Sequence, residues 1–145
     1  MMRKIVKTIM VTFAMIMAMT QTAKSQTTND LKSWEKVIYA ISQVESGGNP
    51  KAHNPNGDCA GLLQIMPCLV KECNRILKTQ GSEKRFTMKD RYNPDKSKEM
   101  FVIMQNQYNK EHNTEKAIKC WNSGFSKGWQ KRSIRYYNKV MSYMK

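Results

Sequence analysis

Glu45 lies where an acid is out of place. Trp34, Ile38 and Ile41 recur with it at i, i+4, i+7 and i+11, and Leu31, Val37 and Val44 fall close beside that stripe. The spacing puts the Glu45 carboxyl on or near the buried face of a helix. Ser46, Gly47, Gly48, Asn49 and Pro50 follow at once; the glycines supply the left-handed geometry that ends a helix, and Asn-Pro turns the chain away. A carboxyl at a helix C-terminus faces the partial negative charge of the last carbonyls, and apolar neighbours disfavour its ionised form. Both effects raise its pKa. A proton kept at neutral pH can be handed to a leaving oxygen, which is the part a general acid plays in glycosidic bond cleavage. The fragment alone also reads as a half-exposed glutamate at a frayed helix end, so the other segments must decide.

Other reactive side chains offer less. His53 and Asp58 fall in Lys51–Ala60, KAHNPNGDCA, a stretch dense in turn formers in which Asn56-Gly57 signals a hairpin. Asp58 reads as a turn-capping residue or as a second carboxylate for Glu45, and His53 as a solvated turn residue. No Ser-His-Asp or Cys-His signature accompanies them. Cys59, Cys68, Cys73 and Cys120 fit no common zinc spacing, so no metal or cofactor is expected. In an exported chain they would pair as disulfides, with Cys68–Cys73 the least favoured pair because five positions along a helix point apart; buried free thiols are the alternative.

The elements that would hold Glu45 in place follow from helical spacing and punctuation. Asp30 can cap a helix from Leu31 to about Glu45. Pro67 opens a second, with Val70, Cys73, Ile76 and Leu77 inward and Gly81 beyond its end. Asn93-Pro94 starts a third with the stripe Met100, Ile103, Met104, Gln107 and Tyr108, read as core packing. Thr114 can cap a fourth through Ala117, Ile118 and Trp121 to Gly124. The last presents Ile134, Tyr137, Val140 and Met141 on one face, which makes the basic, aromatic tail a docked helix rather than a nucleic-acid patch. There is no internal repeat, and the whole reads as one mainly α domain with a small turn-rich or hairpin segment.

The 145 residues carry a net charge of +14. Residues 1–25 have a basic start (Arg3, Lys4, Lys7), an apolar run from Ile9 to Met19, and small and polar residues ending at Ala23 and Ser25. That order is expected to be a secretory signal peptide, leaving 26–145 as the exported domain, because the run is too short for a permanent membrane anchor. Its removal takes Arg3, Lys4, Lys7 and Lys24 and no acid, so +14 falls to +10. A basic exported domain of this size is suited to an acidic wall polymer, and no nucleic-acid-binding motif is present.

Three segments in order, Glu45-Ser46-Gly47-Gly48, then GLLQIMP (Gly61–Pro67), then CWNSG (Cys120–Gly124), resemble the catalytic domain of soluble lytic transglycosylases and goose-type lysozymes. The resemblance implies a single lysozyme-like helical domain with the hairpin beside a cleft. It implies an exported, monomeric muramidase, periplasmic or extracellular, acting on peptidoglycan between N-acetylmuramic acid and N-acetylglucosamine. Glu45 would be the sole acid/base, and capture of the sugar by its own 6-hydroxyl would leave 1,6-anhydro ends. Ser46, Gln64, Trp121 and Asn122 would meet substrate, and Gly61 would let the backbone pass close to the sugar. A secretion or conjugation apparatus is one setting for such an enzyme. The family usually has a tyrosine before the asparagine, whose hydroxyl helps hold the acid; Trp121 stands there instead, and an indole donates but cannot accept. Asp58 is one register from the second carboxylate of hen-egg-type lysozymes. A two-carboxylate hydrolase and a wall-binding module with little turnover are therefore the competing readings.

Overall fold

The computed structural model describes residues 28–125 and 133–144; the expected signal peptide and the start of the basic tail lie outside them. The chain divides into two units, residues 1–33 and 34–145. Of the first, residues 28–33 are helical, and the Ser33 hydroxyl donates to the Asp30 carbonyl at 2.7 Å. Asp30 thus stands inside a helical stretch that begins earlier than its capping chemistry suggests, and all that follows concerns the second unit.

In the second unit, helix α1 covers residues 34–46. It buries Trp34, Val37, Ile38, Ala40, Ile41 and Ser42; of the expected set, Val44 and Glu45 are only half-buried. Its end is closed by the glycines: Gly47 and Gly48 have φ of +62° and +80°, and their N–H groups donate to the Gln43 and Ser42 carbonyls at 3.2 and 3.1 Å. This satisfies carbonyls that the last turn leaves open.

The chain then forms a hairpin of β1 (His53–Asn54) and β2 (Cys59–Ala60), antiparallel with His53 opposite Ala60 and Asn54 opposite Cys59. A further bridge joins Ala60 to Ile65. The strained residue of the connection is Asp58, at φ +46°, and not Gly57. Helix α2 (Pro67–Thr79) opens on proline and buries Val70, Cys73, Ile76 and Leu77, the four residues the spacing selects. A 3₁₀ turn at Met88–Tyr92 occupies what reads in the sequence as a plain polar link.

Helix α3 (Pro94–Tyr108) starts on the Asn93 cap and buries Ser97, Met100, Phe101, Val102, Met104 and Gln105. The expected stripe is right at Met100 and Met104, but Ile103, Gln107 and Tyr108 are only half-buried. The helix is covered on more than one side, and a stripe presumes a single covered face. Trp34 meets Phe101 edge-on at 5.9 Å between ring centres. Helix α4 (Thr114–Ser123) is capped by Asn113, whose side chain accepts from the Lys116 N–H at 2.8 Å, one residue before the expected Thr114. Helix α5 (Ile134–Ser142) packs on α4 and buries Val140. Ile134 is exposed; it is the first residue of the helix, and the inward position beside it belongs to Ser133. No helix among the described residues is long and apolar enough to cross a membrane.

Candidate active site

Glu45 is the penultimate residue of α1, half-buried, and its Oε1 accepts a hydrogen bond from the Tyr136 hydroxyl of α5 at 2.6 Å. Among the described residues Oε2 has no hydrogen-bond partner. Burial pushes the Glu45 carboxyl above its ordinary value; the Tyr136 bond and the Lys139 charge pull the other way without cancelling that effect. Tyr136 is itself pushed far above the usual phenol range, first by burial and then by the charge of Glu45. It therefore stays a donor throughout the neutral range.

Glu45 lines a cleft of about 740 Å³ whose walls include Gln64, Met104, Trp121 and Asn122. The GLLQI segment forms its near wall through a tight turn. The Gly61 carbonyl accepts both the Gln64 N–H (3.2 Å) and the Gln64 side-chain amide (3.0 Å), and Gln64 takes φ +48°. Trp121 locks α4 onto this turn by donating its indole N–H to the Leu63 carbonyl at 3.1 Å, with its ring tilted on Phe101 at 5.0 Å. Asn122, exposed in the cleft, accepts from the Ser133 hydroxyl at 3.3 Å.

A family model described as the transglycosylase SLT domain matches residues 18–142. The chain belongs to that family. No curated protein matches it. Membership makes the domain one of the lytic transglycosylase type, acting on peptidoglycan and hence outside the cytoplasm.

Within this SLT domain Ser46 and Gly61 both make contacts that hold the fold. Ser46 does not line the cleft: its hydroxyl sits 2.8 Å from the Leu62 carbonyl and 3.2 Å from that of Ser42, bracing the end of α1 against the GLLQI turn. Gly61 has a role in the fold, because a Cβ built there would lie 1.8 Å from the Arg91 carbonyl oxygen. Asp58 is engaged by Arg91, whose Nη1 donates to its carbonyl at 2.6 Å and its carboxylate at 3.2 Å. It does not line the cleft. His53 contacts Tyr92 at 3.1 Å.

The four cysteines are free thiols, the second of the two readings the sequence left open. Cys73 and Cys120 are packed as small apolar groups, and burial pushes their thiols up to about 12 and about 11. Cys59 and Cys68 line the cleft with Cys120. Among the described residues no three His, Cys, Asp or Glu side chains gather as a metal site.

Sequence reasoning missed Tyr136, which it passed over as one aromatic in a basic tail. It lies 91 positions from Glu45, and no local pattern links the two. The contact carries a prediction. Tyr136→Phe removes a donor that favours ionised Glu45, so the Glu45 pKa should rise further and the alkaline limb of the pH–rate profile on isolated sacculi should move to higher pH. The maximal rate should fall about tenfold, as expected for losing one hydrogen bond to a charged group. An alkaline limb that stays put or moves down would show that Tyr136 does not set the protonation of Glu45.

Proposed function

We propose that the domain is an exported muramidase that cuts the β-1,4 bond between N-acetylmuramic acid and N-acetylglucosamine with Glu45 as the only acid/base. The observation that carries this is a carboxyl in the cleft whose pKa burial raises, held at Oε1 by Tyr136 and with no hydrogen-bond partner on Oε2 among the described residues. The same contact bears on the wall-binding alternative, which rests on the missing hydroxyl at position 121. Tyr136 supplies a hydroxyl to the acid from another helix.

In this reading Glu45 gives its proton to the glycosidic oxygen as the bond to C1 of the muramic acid breaks. The positive charge that grows on the ring is quenched by attack of that sugar's own 6-hydroxyl on C1, and the hydroxyl proton returns to the Glu45 carboxylate. No water is consumed, and the product carries a 1,6-anhydro ring. Hydrolysis would instead need a second carboxylate to activate a water on the opposite face. Asp58 is tied to Arg91 outside the cleft. Glu72, the other carboxylate of the lining, is bound by Arg75 and Tyr108 and shares no partner with Glu45.

Mass spectrometry of the products tests this. Muropeptides should be lighter by one water than their hydrolytic counterparts, and Asp58→Asn should keep the rate within about threefold of the wild type, far from the effect of removing a general acid. Products with free reducing ends, together with an Asp58→Asn enzyme as damaged as one lacking the Glu45 acid, would make this a two-carboxylate lysozyme.

A further inference from the structure

The partner of Glu45 comes from α5, and α5 is lightly held. It is nine residues long, too short to be stable alone in water, and Val140 is its one buried residue. A single buried side chain fixes where a helix lies but not how it is turned about its axis. Two contacts with α4 set that turn. At one, the Ser133 hydroxyl donates to the Asn122 side chain at 3.3 Å. At the other, the Lys119 ammonium lies over the Tyr137 ring, 5.3 Å from its centre, within the range of a cation–π contact. Lys119 and Asn122 are three apart, and Ser133 and Tyr137 four apart, so the contacts form two rungs between facing sides of the helices.

A lysine is a costly residue for such a rung. Lys119 is 7% exposed, and with Arg91 it is one of two charged side chains buried among the described residues. Arg91 ties the hairpin to the GLLQI turn. The Lys119 ammonium pairs with Glu115, one turn back on its own helix, whose carboxylate is half open to water. Taking a lysine out of water costs about as much as such a pair returns, and an apolar side chain of similar length would serve stability as well. What the ammonium adds is direction, because it draws the face of one aromatic ring to one point.

We propose that Lys119 is a positioning residue for the acid: by holding Tyr137 it sets the turn of α5 that brings the Tyr136 hydroxyl to Glu45. Tyr136 and Tyr137 are consecutive, and their rings leave the helix about 100° apart, so α5 cannot turn to release one and keep the other in place. The inference rests on the reading of Glu45 as the acid for its consequence in catalysis, though not for the contact itself. Glu45 is faced from α5 by the Tyr136 hydroxyl and the charge of Lys139, and from β2 by the Cys59 thiol. Lys119 acts through the first of these. The Tyr136 bond favours ionised Glu45, so loosening it moves the titration of Glu45 to higher pH.

The test is a carbon-13 NMR titration of the Glu45 carboxyl in the full chain, its signal assigned by its absence from Glu45→Gln, beside the rate of muropeptide release. Lys119→Met keeps the length of the side chain and removes the ammonium. Tyr137→Leu leaves every charge in place and removes the ring. Each should raise the Glu45 titration midpoint by about half a pH unit, the scale of a hydrogen bond loosened and not deleted, and lower the rate several-fold. Tyr137→Phe keeps the ring and should titrate as the wild type does. In a Tyr136→Phe background neither Lys119→Met nor Tyr137→Leu should move the midpoint further. An unmoved midpoint in Tyr137→Leu would overturn the proposal. So would shifts of equal size with and without the Tyr136 hydroxyl, because they would act on Glu45 by charge or by general loosening. Should Lys119→Met fail to fold, the two Tyr137 variants decide. Muropeptide release by the wild-type chain reports separately on the muramidase reading, so either idea can fail alone.

Discussion

Glu45→Gln is expected to lower muropeptide release from isolated sacculi by at least ~10²-fold, the usual contribution of a positioned general acid. The exchange keeps the size of the side chain and an oxygen that can still accept from Tyr136, while the transferable proton is gone. Its effect on stability should have the opposite sign. Burial disfavours the ionised form of Glu45, and a neutral amide has no ionised form to disfavour, so the unfolding midpoint should be unchanged or slightly higher. The pair of measurements separates chemistry from folding. Low activity with an intact midpoint assigns the proton to Glu45, whereas near-wild-type release would require another acid. The wild-type profile should also decline on the alkaline side as Glu45 loses its proton. That decline should fall at higher pH than for an ordinary exposed glutamate, because burial raises the group.

Glu45 stood out in the sequence as a candidate because its anomaly is local. A carboxyl at i+11 of an apolar stripe, directly before Gly47-Gly48, contradicts the helix it belongs to, and such contradictions mark sites. The inner face of α2 and the start of α3 were legible for a related reason: Pro67 and Asn93-Pro94 punctuate the chain, and α2 has one covered face. Where a helix is covered on several sides, as α3 is, periodicity loses its meaning. The stripe then misplaces Ile103 and omits Phe101, which is fully buried.

What the sequence could not give was the company Glu45 keeps. Tyr136 comes from the opposite end of the domain, and the question raised by Trp121 had its answer on a different helix. Tyr108 was read as core because methionine and tyrosine at helical spacing are commonest there. Its hydroxyl instead reaches Glu72 at the edge of the cleft. The close approach of Gly61 to Arg91, 30 positions away, was equally hidden.

That contact yields the largest expected effect on stability. Gly61 has φ +77°, and an added Cβ would lie 1.8 Å from the Arg91 carbonyl oxygen and 2.7 Å from its carbon, both backbone atoms that no rotamer change can move. Arg91 cannot easily yield. Its buried guanidinium reaches Asp58 in the hairpin and the Ile65 carbonyl at 3.2 Å, and its own carbonyl accepts from the Ser97 hydroxyl of α3 at 2.9 Å. Displacing it would pull on the hairpin, the GLLQI turn and α3 together. Left-handed backbone alone costs a non-glycine residue about 1–2 kcal/mol, and with the clash Gly61→Ala should exceed about 4 kcal/mol, the exceptional range for one substitution. In a domain of this size that is a fall of roughly 15 °C in the unfolding midpoint, or failure to fold. Gly81→Ala is the matched control. Gly81 has φ +72°, and a Cβ there meets nothing within 4 Å, so it carries the backbone penalty without the collision. The difference between the two midpoints, read by circular dichroism, isolates the steric part. Equal losses would mean that the Arg91 backbone gives way freely, and that the turn presenting Gln64 to the cleft is not held by this contact.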